Sequence, residues 1–154
     1  KHTEGGDFRE ATKRALRQGL DSAENILLEP YYNFKIEVDK QLLGRVLSDV
    51  QKMNGTFNEQ QSVGDRVIIT GRGPVATFMD YSLEFQALSK GKGGLSLMYG
   101  GYDVCHNAEE VIERIGYNKD ADPEYTSSSI FCAKGVGYSV KGDEVVNYMH
   151  CLKK

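Results

Sequence analysis

Five side chains in the C-terminal half of the sequence could bind a metal ion. Thiolates and imidazoles are the ligands that zinc prefers, and four of them complete a tetrahedral site. The spacing includes no CxxC or HxxxH pair, so thiols that pack as small hydrophobic groups are the favoured interpretation. We therefore predict no metal site, and a zinc site formed by four of the five is the alternative. The five residues are Cys105, His106, Cys132, His150 and Cys151.

Catalytic motifs are not evident in the sequence. No GxxxxGK(S/T) segment is present, and that loop is what cradles nucleotide phosphates in P-loop proteins. The segment GRGPVA (71–76) could bind an anion at a helix N-terminus, but a strand that turns into a proline-initiated helix needs glycine for its backbone. GVG (135–137) is not the GxGxxG fingerprint of dinucleotide binding. We predict that this chain by itself catalyses no reaction and binds no cofactor.

The bulk composition predicts a globular protein with its own core. The chain has 154 residues, of which 40% are hydrophobic, and that is enough to bury a core. No run approaches the ~18 apolar residues that span a bilayer, and the N-terminus has no signal-peptide pattern. The three cysteines are odd in number and far apart, unlike a disulfide framework. We expect a cytoplasmic protein with reduced thiols and no membrane partner.

Charge is nearly balanced along the chain. Residues 1–30 carry five basic and six acidic side chains, residues 31–106 carry eight of each, and residues 107–154 carry six basic and eight acidic ones, for a net charge of -3. A protein that grips bare nucleic acid normally has a clear positive excess. The balance argues against a DNA-binding protein and limits any RNA contact to a local basic patch.

Hydrophobic periodicity over residues 31–99 predicts the order β-α-β-β-α-β. In the first strand Phe34, Ile36 and Val38 alternate with polar residues, which is the period of a half-buried strand. The order is that of an α+β, ferredoxin-like fold, in which an antiparallel four-stranded sheet carries two helices on one face. The predicted elements are a strand at 31–39, a helix at about 40–53, strands at 56–62 and 66–71, a helix from Pro74 to about Lys90 with Met79 facing inward, and a strand at 94–99.

A helix precedes this fold and ends where the sheet begins. We predict Asp7 as its N-cap, with Glu10 completing a capping box, and we place its end at Leu27 because Pro30 cannot continue a helix. Its apolar face needs another surface to cover it, which could be the ferredoxin-like domain, the C-terminal extension or a second copy of the chain. That face consists of Phe8, Ala15, Leu16, Leu20 and Ala23.

Residues 107–154 lie beyond the ferredoxin-like order. The patterns predict a short helix over AEEVIERI, a polar loop, a strand or two with a tight turn over SIFCAKGVGYSV, and a last helix from Asp143. These elements contain too little apolar material for a core of their own. We therefore predict an α/β extension that packs on the ferredoxin-like domain.

Two stretches of the sequence resemble the elongation factor G-type translational GTPases. The seam between the fourth and fifth domains of that family is similar to DFREATKRALRQGLDSAENILLEPYYNFKIEV. The second half of its fifth, ferredoxin-like domain is similar to GRGPVATFMDYSLEFQALSKGKGGLSLMYGGYDV. The resemblance implies the end of a truncated domain IV over residues 1–30, a domain V over 31–106 and a C-terminal extension over 107–154.

Within that family the chain resembles the ribosomal-protection proteins of tetracycline resistance. Residues 7–9 stand at the same distance before LLEP as a similar triplet in that group, residues 84–88 lack the arginine usual in elongation factor G, and residues 101–104 are similar to the resistance-type ending. The resistance proteins carry a serine- and proline-containing loop tip before the triplet, and this loop reaches the decoding centre. The corresponding remnant in this chain differs and consists of His2, Thr3, Glu4, Gly5 and Gly6.

The resemblance implies a C-terminal piece of a larger GTPase. GTP and Mg²⁺ would bind in the parent protein, upstream of this sequence, and the chain itself would contact the ribosome through large-subunit rRNA and ribosomal proteins. Such contacts need basic side chains on loops and helix ends rather than a net positive charge. The candidates for rRNA binding are Arg45, Lys52, Arg72, Lys90 and Lys92.

Two other functions are alternatives. A stand-alone ferredoxin-like regulatory module would bind a small ligand or dimerise through its sheet, and its exposed sheet face would then carry a pocket or a large apolar patch. A zinc-stabilised extension would recruit a protein partner. Separately from these alternatives, the isolated fragment could dimerise through the apolar face of its first helix.

Overall fold

The computed structural model describes the backbone of residues 3–152 and the side chains of residues 3–151. They form two compact units, which we name the sheet unit (Ile26–Val111) and the hairpin unit (residues up to Asn25 together with those from Ile112 onward). No helix among the described residues is long and apolar enough to cross a membrane. In chain order the elements are α1 (Gly5–Ser22), β1 (Leu28–Asp39), α2 (Leu43–Lys52), β2 (Thr56–Val63), β3 (Arg66–Pro74), α3 (Val75–Phe78), α4 (Tyr81–Ser89), β4 (Gly94–Val104), α5 (Ala108–Ile115), β5 (Ser129–Ala133), β6 (Val136–Val140) and α6 (Val145–Tyr148).

The sheet unit has the predicted α+β, ferredoxin-like fold. Its four strands form one antiparallel sheet in the order β2-β3-β1-β4, and the helices α2 and α4 connect them as in the split βαβ arrangement. The alternation in β1 has the predicted effect, because Phe34, Ile36 and Val38 are buried while Asn33 and Lys35 are exposed. The buried core is completed by Val46, Val50, Val67, Ile69, Phe78, Tyr81 and Phe85.

Two glycines of the GRGPVA segment are required by packing. A Cβ at Gly73 would lie 2.2 Å from Cε2 of Phe78, and a Cβ at Gly71 would lie 2.1 Å from the carbonyl oxygen of Thr56. The Phe78 ring stacks in turn on Phe34, with 5.2 Å between the ring centroids. The glycines therefore let β3 approach its neighbours closely, which supports the conformational interpretation of this segment over anion binding.

The sheet face opposite the core carries a polar row across all four strands. Lys35 on β1 pairs with Thr70 on β3 and with Ser96 on β4, and Thr70 pairs with Glu59 on β2. A dimer formed through the sheet would need a large apolar patch at this place. The polar row does not favour the regulatory-module alternative.

The sheet begins earlier and ends later than predicted. β1 starts at Leu28 instead of 31 and runs through Pro30, although proline has no N–H to donate. A register shift between Pro30 and Tyr32 accommodates it, as β-bulges do. Because β1 is longer, β4 pairs with it as far as Val104 and does not end at 99.

The helix predicted between Pro74 and Lys90 is two helices. α3 is a single turn, tied to the end of α2 by a 2.7 Å hydrogen bond from the Thr77 hydroxyl to the Met53 carbonyl oxygen. α4 begins separately at Tyr81, and its side chains Tyr81 and Phe85 are buried in the core. Met79 lies at the break and is 56% exposed, so the prediction that it faces inward is wrong.

α1 also starts and ends earlier than predicted. Glu4 is its N-cap, and the predicted N-cap Asp7 lies within the helix, where its carboxylate accepts a 2.9 Å hydrogen bond from the Glu4 backbone N–H. α1 ends at Ser22 and does not reach the predicted Leu27. The side-chain amide of Asn25 donates to the Leu20 carbonyl oxygen (2.9 Å) and so caps the last turn.

The hairpin unit contains the predicted strands and a short last helix. β5 and β6 pair antiparallel, and the tight turn between them consists of Lys134 and Gly135, both with positive φ, which is the usual geometry of a two-residue hairpin. The last helix predicted from Asp143 is reduced to the single turn α6 and a 3₁₀ turn at His150–Leu152. The rings of Phe131 and Tyr148 pack at 5.9 Å between centroids.

The contacts of α1 in this unit are polar. The Gln18 amide donates to the carbonyl oxygen of Ser127 and to the hydroxyl of Ser129, both at 2.9 Å. On the predicted apolar face, Phe8 is 66% and Leu16 is 65% exposed. No described residue of the hairpin unit covers this face, because hydrogen bonds made by the neighbouring polar side hold the helix instead, and cover by a second copy of the chain stays a prediction.

The predicted domain boundaries at 30/31 and 106/107 stay predictions. Residues 26–30 and 107–111 fall within the sheet unit. One reason is that the chain after β4 is tied back to the start of β1 by a 2.9 Å hydrogen bond from the Cys105 N–H to the Leu27 carbonyl oxygen. The packing of the extension on the ferredoxin-like domain also stays a prediction.

Candidate functional site

Arg45, the first predicted rRNA-binding residue, holds two helices together. From α2 its guanidinium donates to the Asp49 carboxylate at 3.0 Å and to the Glu84 carboxylate on α4 at 3.3 Å. Asp49 is buried and also accepts a 3.3 Å hydrogen bond from the Tyr81 hydroxyl. Burial, and then the Asp49 charge, raise the pKa of Tyr81, while the Asp49 hydrogen bond raises the pKa of Arg45. Arg45 therefore compensates the negative charge of the buried Asp49 carboxylate, although the Arg45 side chain is 56% exposed.

Lys52 lies beside this cluster at the last residue of α2. It is exposed, and with Arg45 it lines a cavity of about 110 Å³ together with Tyr81 and Glu84. That volume holds only a few water molecules. Lys52 makes no ion pair with any described residue, so its ammonium group is free to contact a phosphate.

Lys90 and Lys92 lie together in the turn that follows α4. Lys90 has a φ of 52° and Gly91 a φ of 73°, and the Gly91 N–H donates to the Gln86 carbonyl oxygen at 3.0 Å, as in a Schellman C-cap. The Lys92 carbonyl oxygen accepts a 2.9 Å hydrogen bond from the Arg66 guanidinium, which fixes the backbone of the turn. Both lysine side chains are exposed, and neither is in an ion pair with a described residue.

Arg72 is the least available of the five candidates. On β3 its guanidinium is paired with the Asp103 carboxylate, donates to the Gly100 carbonyl oxygen at 3.0 Å, and lies 4.8 Å from the centre of the Tyr31 ring. The Val104 backbone N–H, and then Arg72, lower the pKa of Asp103. The side chain of Arg72 is only 29% exposed, and its guanidinium N–H groups are already bound to residues near the end of β4.

The predicted remnant of the decoding loop is mostly helical or capping. Gly5 and Gly6 form the start of α1, so the prediction that they belong to a loop is wrong. Thr3 precedes the helix, Glu4 caps it, and both are exposed. His2 lies outside the described residues.

The predicted metal ligands fall into two groups. Cys105 and His106 lie in the sheet unit, whereas Cys132, His150 and Cys151 belong to the hairpin unit and, among the described residues, take part in no group of three potential ligands. Cys105 and His106 are joined by a third ligand, Glu29, which was not among the predicted ones. Glu29 is the glutamate of LLEP and is far from Cys105 in sequence, so only the pairing of β1 with β4 brings them together.

One family model matches the chain. Its description is "Elongation factor G C-terminus", and the match covers residues 26–112. These bounds nearly coincide with those of the sheet unit, Ile26–Val111. The compact ferredoxin-like fold is therefore the part of the chain that the family shares.

Curated relatives include translation and resistance proteins. Elongation factor 2 of Methanosarcina mazei is 30% identical over 116 residues, covering 71% of this chain and 16% of the relative. Elongation factor 2 of Methanopyrus kandleri is 31% identical and covers 74% of this chain and 9% of the relative. The tetracycline resistance protein TetP of Clostridium perfringens is 28% identical over 96 residues, covering 62% and 15%. The chain thus spans a small part of these relatives.

A solved structure has a similar fold. A crystal structure of a protein from Thermus thermophilus has a TM-score of 0.54 and 26% sequence identity, covering 60% of this chain and 14% of that one. The resemblance drawn from LLEP and PVATFMDY is confirmed by these comparisons. Because the family match covers more than half of the sequence, the chain belongs to the elongation factor G C-terminus family.

Proposed function

We propose that this chain is the C-terminal part of a translational GTPase and that its sheet unit contacts the ribosome. The observation that carries the proposal is the family match over residues 26–112, together with relatives that are named elongation factor 2 and TetP. Since the chain covers only 16% of the M. mazei relative, GTP and Mg²⁺ would be bound by other parts of the parent protein. Such a protein would work in the cytoplasm, where ribosomes are.

The basic side chains of the sheet unit suggest how the contact is made. Lys90 and Lys92 extend from one fixed turn, and Lys52 extends from the end of α2. Phosphate contacts position a protein on RNA and come commonly from such side chains on loops and helix ends. We therefore rank these three lysines above Arg45 and Arg72, whose guanidinium groups are already used by carboxylates.

The distribution of charge agrees with a local contact. Residues 31–106 have no net charge, and residues 107–154 have an excess of two acidic side chains. An overall attraction to RNA is therefore weak, and a few well-placed lysines must supply the electrostatic part of binding. Each phosphate contact adds to the salt dependence of the affinity.

The test uses the parent protein that contains this chain and purified ribosomes. We expect stable binding and ribosome-stimulated GTP hydrolysis, and we expect the double variant Lys90→Glu with Lys92→Glu to weaken binding on the order of tenfold or more and to reduce the salt slope by about 1 for each lost contact. The matched control reverses two lysines of the hairpin unit, Lys134→Glu with Lys141→Glu.

Two outcomes decide between parts of the proposal. A parent protein that neither binds ribosomes nor is stimulated by them would overturn the whole proposal. If the wild-type parent binds ribosomes but the control variant weakens ribosome binding as much as the Lys90/Lys92 variant does, the turn with Lys90 and Lys92 is not the contact. Lys52→Glu then tests the end of α2.

A further inference from the structure

A carboxylate, a thiol and an imidazole lie close together where the start of β1 pairs with the end of β4. Glu29 is the second residue of β1, and Cys105 and His106 directly follow β4. The pairing of Leu28 with Val104 brings these chain segments side by side. One ligand atom from each of the three side chains lies within 4.8 Å of the others, and Oε1 of Glu29 is 2.6 Å from Nδ1 of His106.

Glu29 and Cys105 are buried, whereas His106 is exposed as a whole residue, although its ring is largely covered beside Glu29. The side chain of Glu29 is 11% exposed and that of His106 is 17% exposed, and Cys105 is 8% exposed. A carboxylate with so little water around it needs a compensating positive charge or several hydrogen bonds. Among the described residues, the hydrogen-bond partner of Glu29 is His106, whose ring Nδ1 and backbone N–H both contact Oε1, the backbone N–H at 2.8 Å.

The donor set selects the kind of ion. Ca²⁺ and Mg²⁺ take oxygen ligands, whereas one thiolate, one imidazole and one carboxylate suit Zn²⁺. Three protein ligands leave a fourth position for water, and an open cleft of about 420 Å³ adjoins the group, lined by Cys105, His106, Asn107, Ala108, Glu109 and Glu110. Solvent therefore has a route to the fourth position.

We propose that Glu29, Cys105 and His106 bind Zn²⁺, with water as the fourth ligand, and that the ion clamps the start of β1 to the chain after β4. In a tetrahedral site an oxygen and a nitrogen ligand stand roughly 3.3 Å apart and a sulfur ligand stands roughly 3.5 Å from each. Glu29 Oε1 and His106 Nδ1 therefore separate by less than about 1 Å when the ion replaces their hydrogen bond, and Cys105 Sγ, which lies within 4.8 Å of both, adjusts to the sulfur distance. The Cys105 thiol releases its proton to solvent as the zinc–sulfur bond forms, and the proton on His106 Nδ1 moves to Nε2 or to solvent, so that Nδ1 binds the ion as part of a neutral imidazole. This differs from the five-residue site considered from the sequence, because Glu29 replaces the hairpin-unit residues.

The test titrates Zn²⁺ into the metal-free full chain and uses Co²⁺ as a spectroscopic probe of the thiolate ligand. We expect one ion per chain, a thiolate-to-cobalt charge-transfer band, and a rise of roughly 10 °C in the melting temperature of the sheet unit at a hundredfold excess over Kd. Cys105→Ser should abolish the band and weaken zinc binding on the order of 100-fold or more, since even residues that only support ligands cost 10–100-fold. Cys132→Ser removes an exposed thiol of the hairpin unit and is the matched control. It should change neither the charge-transfer band nor the affinity for zinc.

Several results would overturn the proposal. Wild-type chain without stoichiometric zinc would show that Glu29 and His106 are only a hydrogen-bonded pair beside a buried thiol. Zinc binding that survives Cys105→Ser but is lost with Cys132→Ser or His150→Gln would place the site in the hairpin unit. If Cys105→Ser does not fold, Glu29→Gln and His106→Gln carry the test, and each must weaken zinc binding. Ribosome binding by the parent protein plays no part in these readouts, so the two proposals fail separately.

Discussion

The forces that stabilise the sheet unit internally differ from those that stabilise the hairpin unit. The sheet unit buries a continuous apolar core between β1, β3, α2 and α4, whereas the buried apolar residues of the hairpin unit are, among the described residues, Val140 and Val145. The hairpin unit depends instead on hydrogen bonds from Arg14 and Gln18 to the backbone before β5. Apolar burial contributes far more to stability than exposed polar contacts, so the part shared with the family is also the part that should fold most stably.

The largest test of this difference removes one aromatic ring from each unit. Phe78 is fully buried, so Phe78→Ala should lower the free energy of unfolding of the sheet unit by about 3–5 kcal/mol. Phe131 in the hairpin unit is only partly buried, and Phe131→Ala should cost no more than about half as much. Urea unfolding of both variants measures the two losses, and equal losses would contradict the contrast.

A second test adds one methyl group to each unit and expects opposite signs. In Gly73→Ala the new Cβ would lie 2.2 Å from Phe78, so overpacking should cost about 1–3 kcal/mol. Gly19 lies within α1 and has open space around it, so Gly19→Ala should stabilise by about 0.5–1 kcal/mol because alanine favours the helix. Melting temperatures of the two variants provide the measurement, and a stabilising Gly73→Ala would show that the core is looser than the contacts indicate.

The smallest effect on stability is expected at the exposed stripe of α1, and there the readout is association. We propose that the isolated chain dimerises through this stripe, which includes Phe8 and Leu16. Leu16→Glu should change the unfolding free energy by less than about 0.5 kcal/mol but shift the chain to monomers in light scattering. Val136→Glu, at a similarly exposed position on β6, is the control. A wild-type chain that is monomeric at all accessible concentrations would rule the dimer out.

Local sequence patterns predicted the order of strands and helices in the sheet unit well, because hydrophobic periodicity distinguishes a strand from a helix. The alternation of Phe34, Ile36 and Val38 identified the central strand and its buried face. The errors occur where a contact distant in sequence overrides a local preference. Pro30 lies inside β1 because β4 continues to pair on one side, and Met79 faces outward because α3 ends in a separate turn.

The candidate sites show the same limit. The sequence could point to Lys90 and Lys92 as a basic turn, and their exposure agrees with that interpretation. It could not show that Arg72 is used by Asp103, since that pair depends on how β3 and the end of β4 approach each other. Glu29 was missed as a possible metal ligand for the same reason, although it lies in the LLEP segment on which the family resemblance rests.

The hydrogen bond between Leu27 and Cys105 has a consequence for the order of folding. The sheet unit interrupts the hairpin unit, whose two parts are separated by the whole segment Ile26–Val111. In an unfolded chain that segment is a long loop, and closing it costs conformational entropy. Once the sheet unit folds, its two ends meet at the 2.9 Å bond from Cys105 to Leu27, and the effective loop shortens roughly tenfold, which saves about 2 kcal/mol of closure entropy at (3/2)RT ln n. The weakly packed hairpin unit thus depends on prior folding of the sheet unit to bring its own halves within reach of each other.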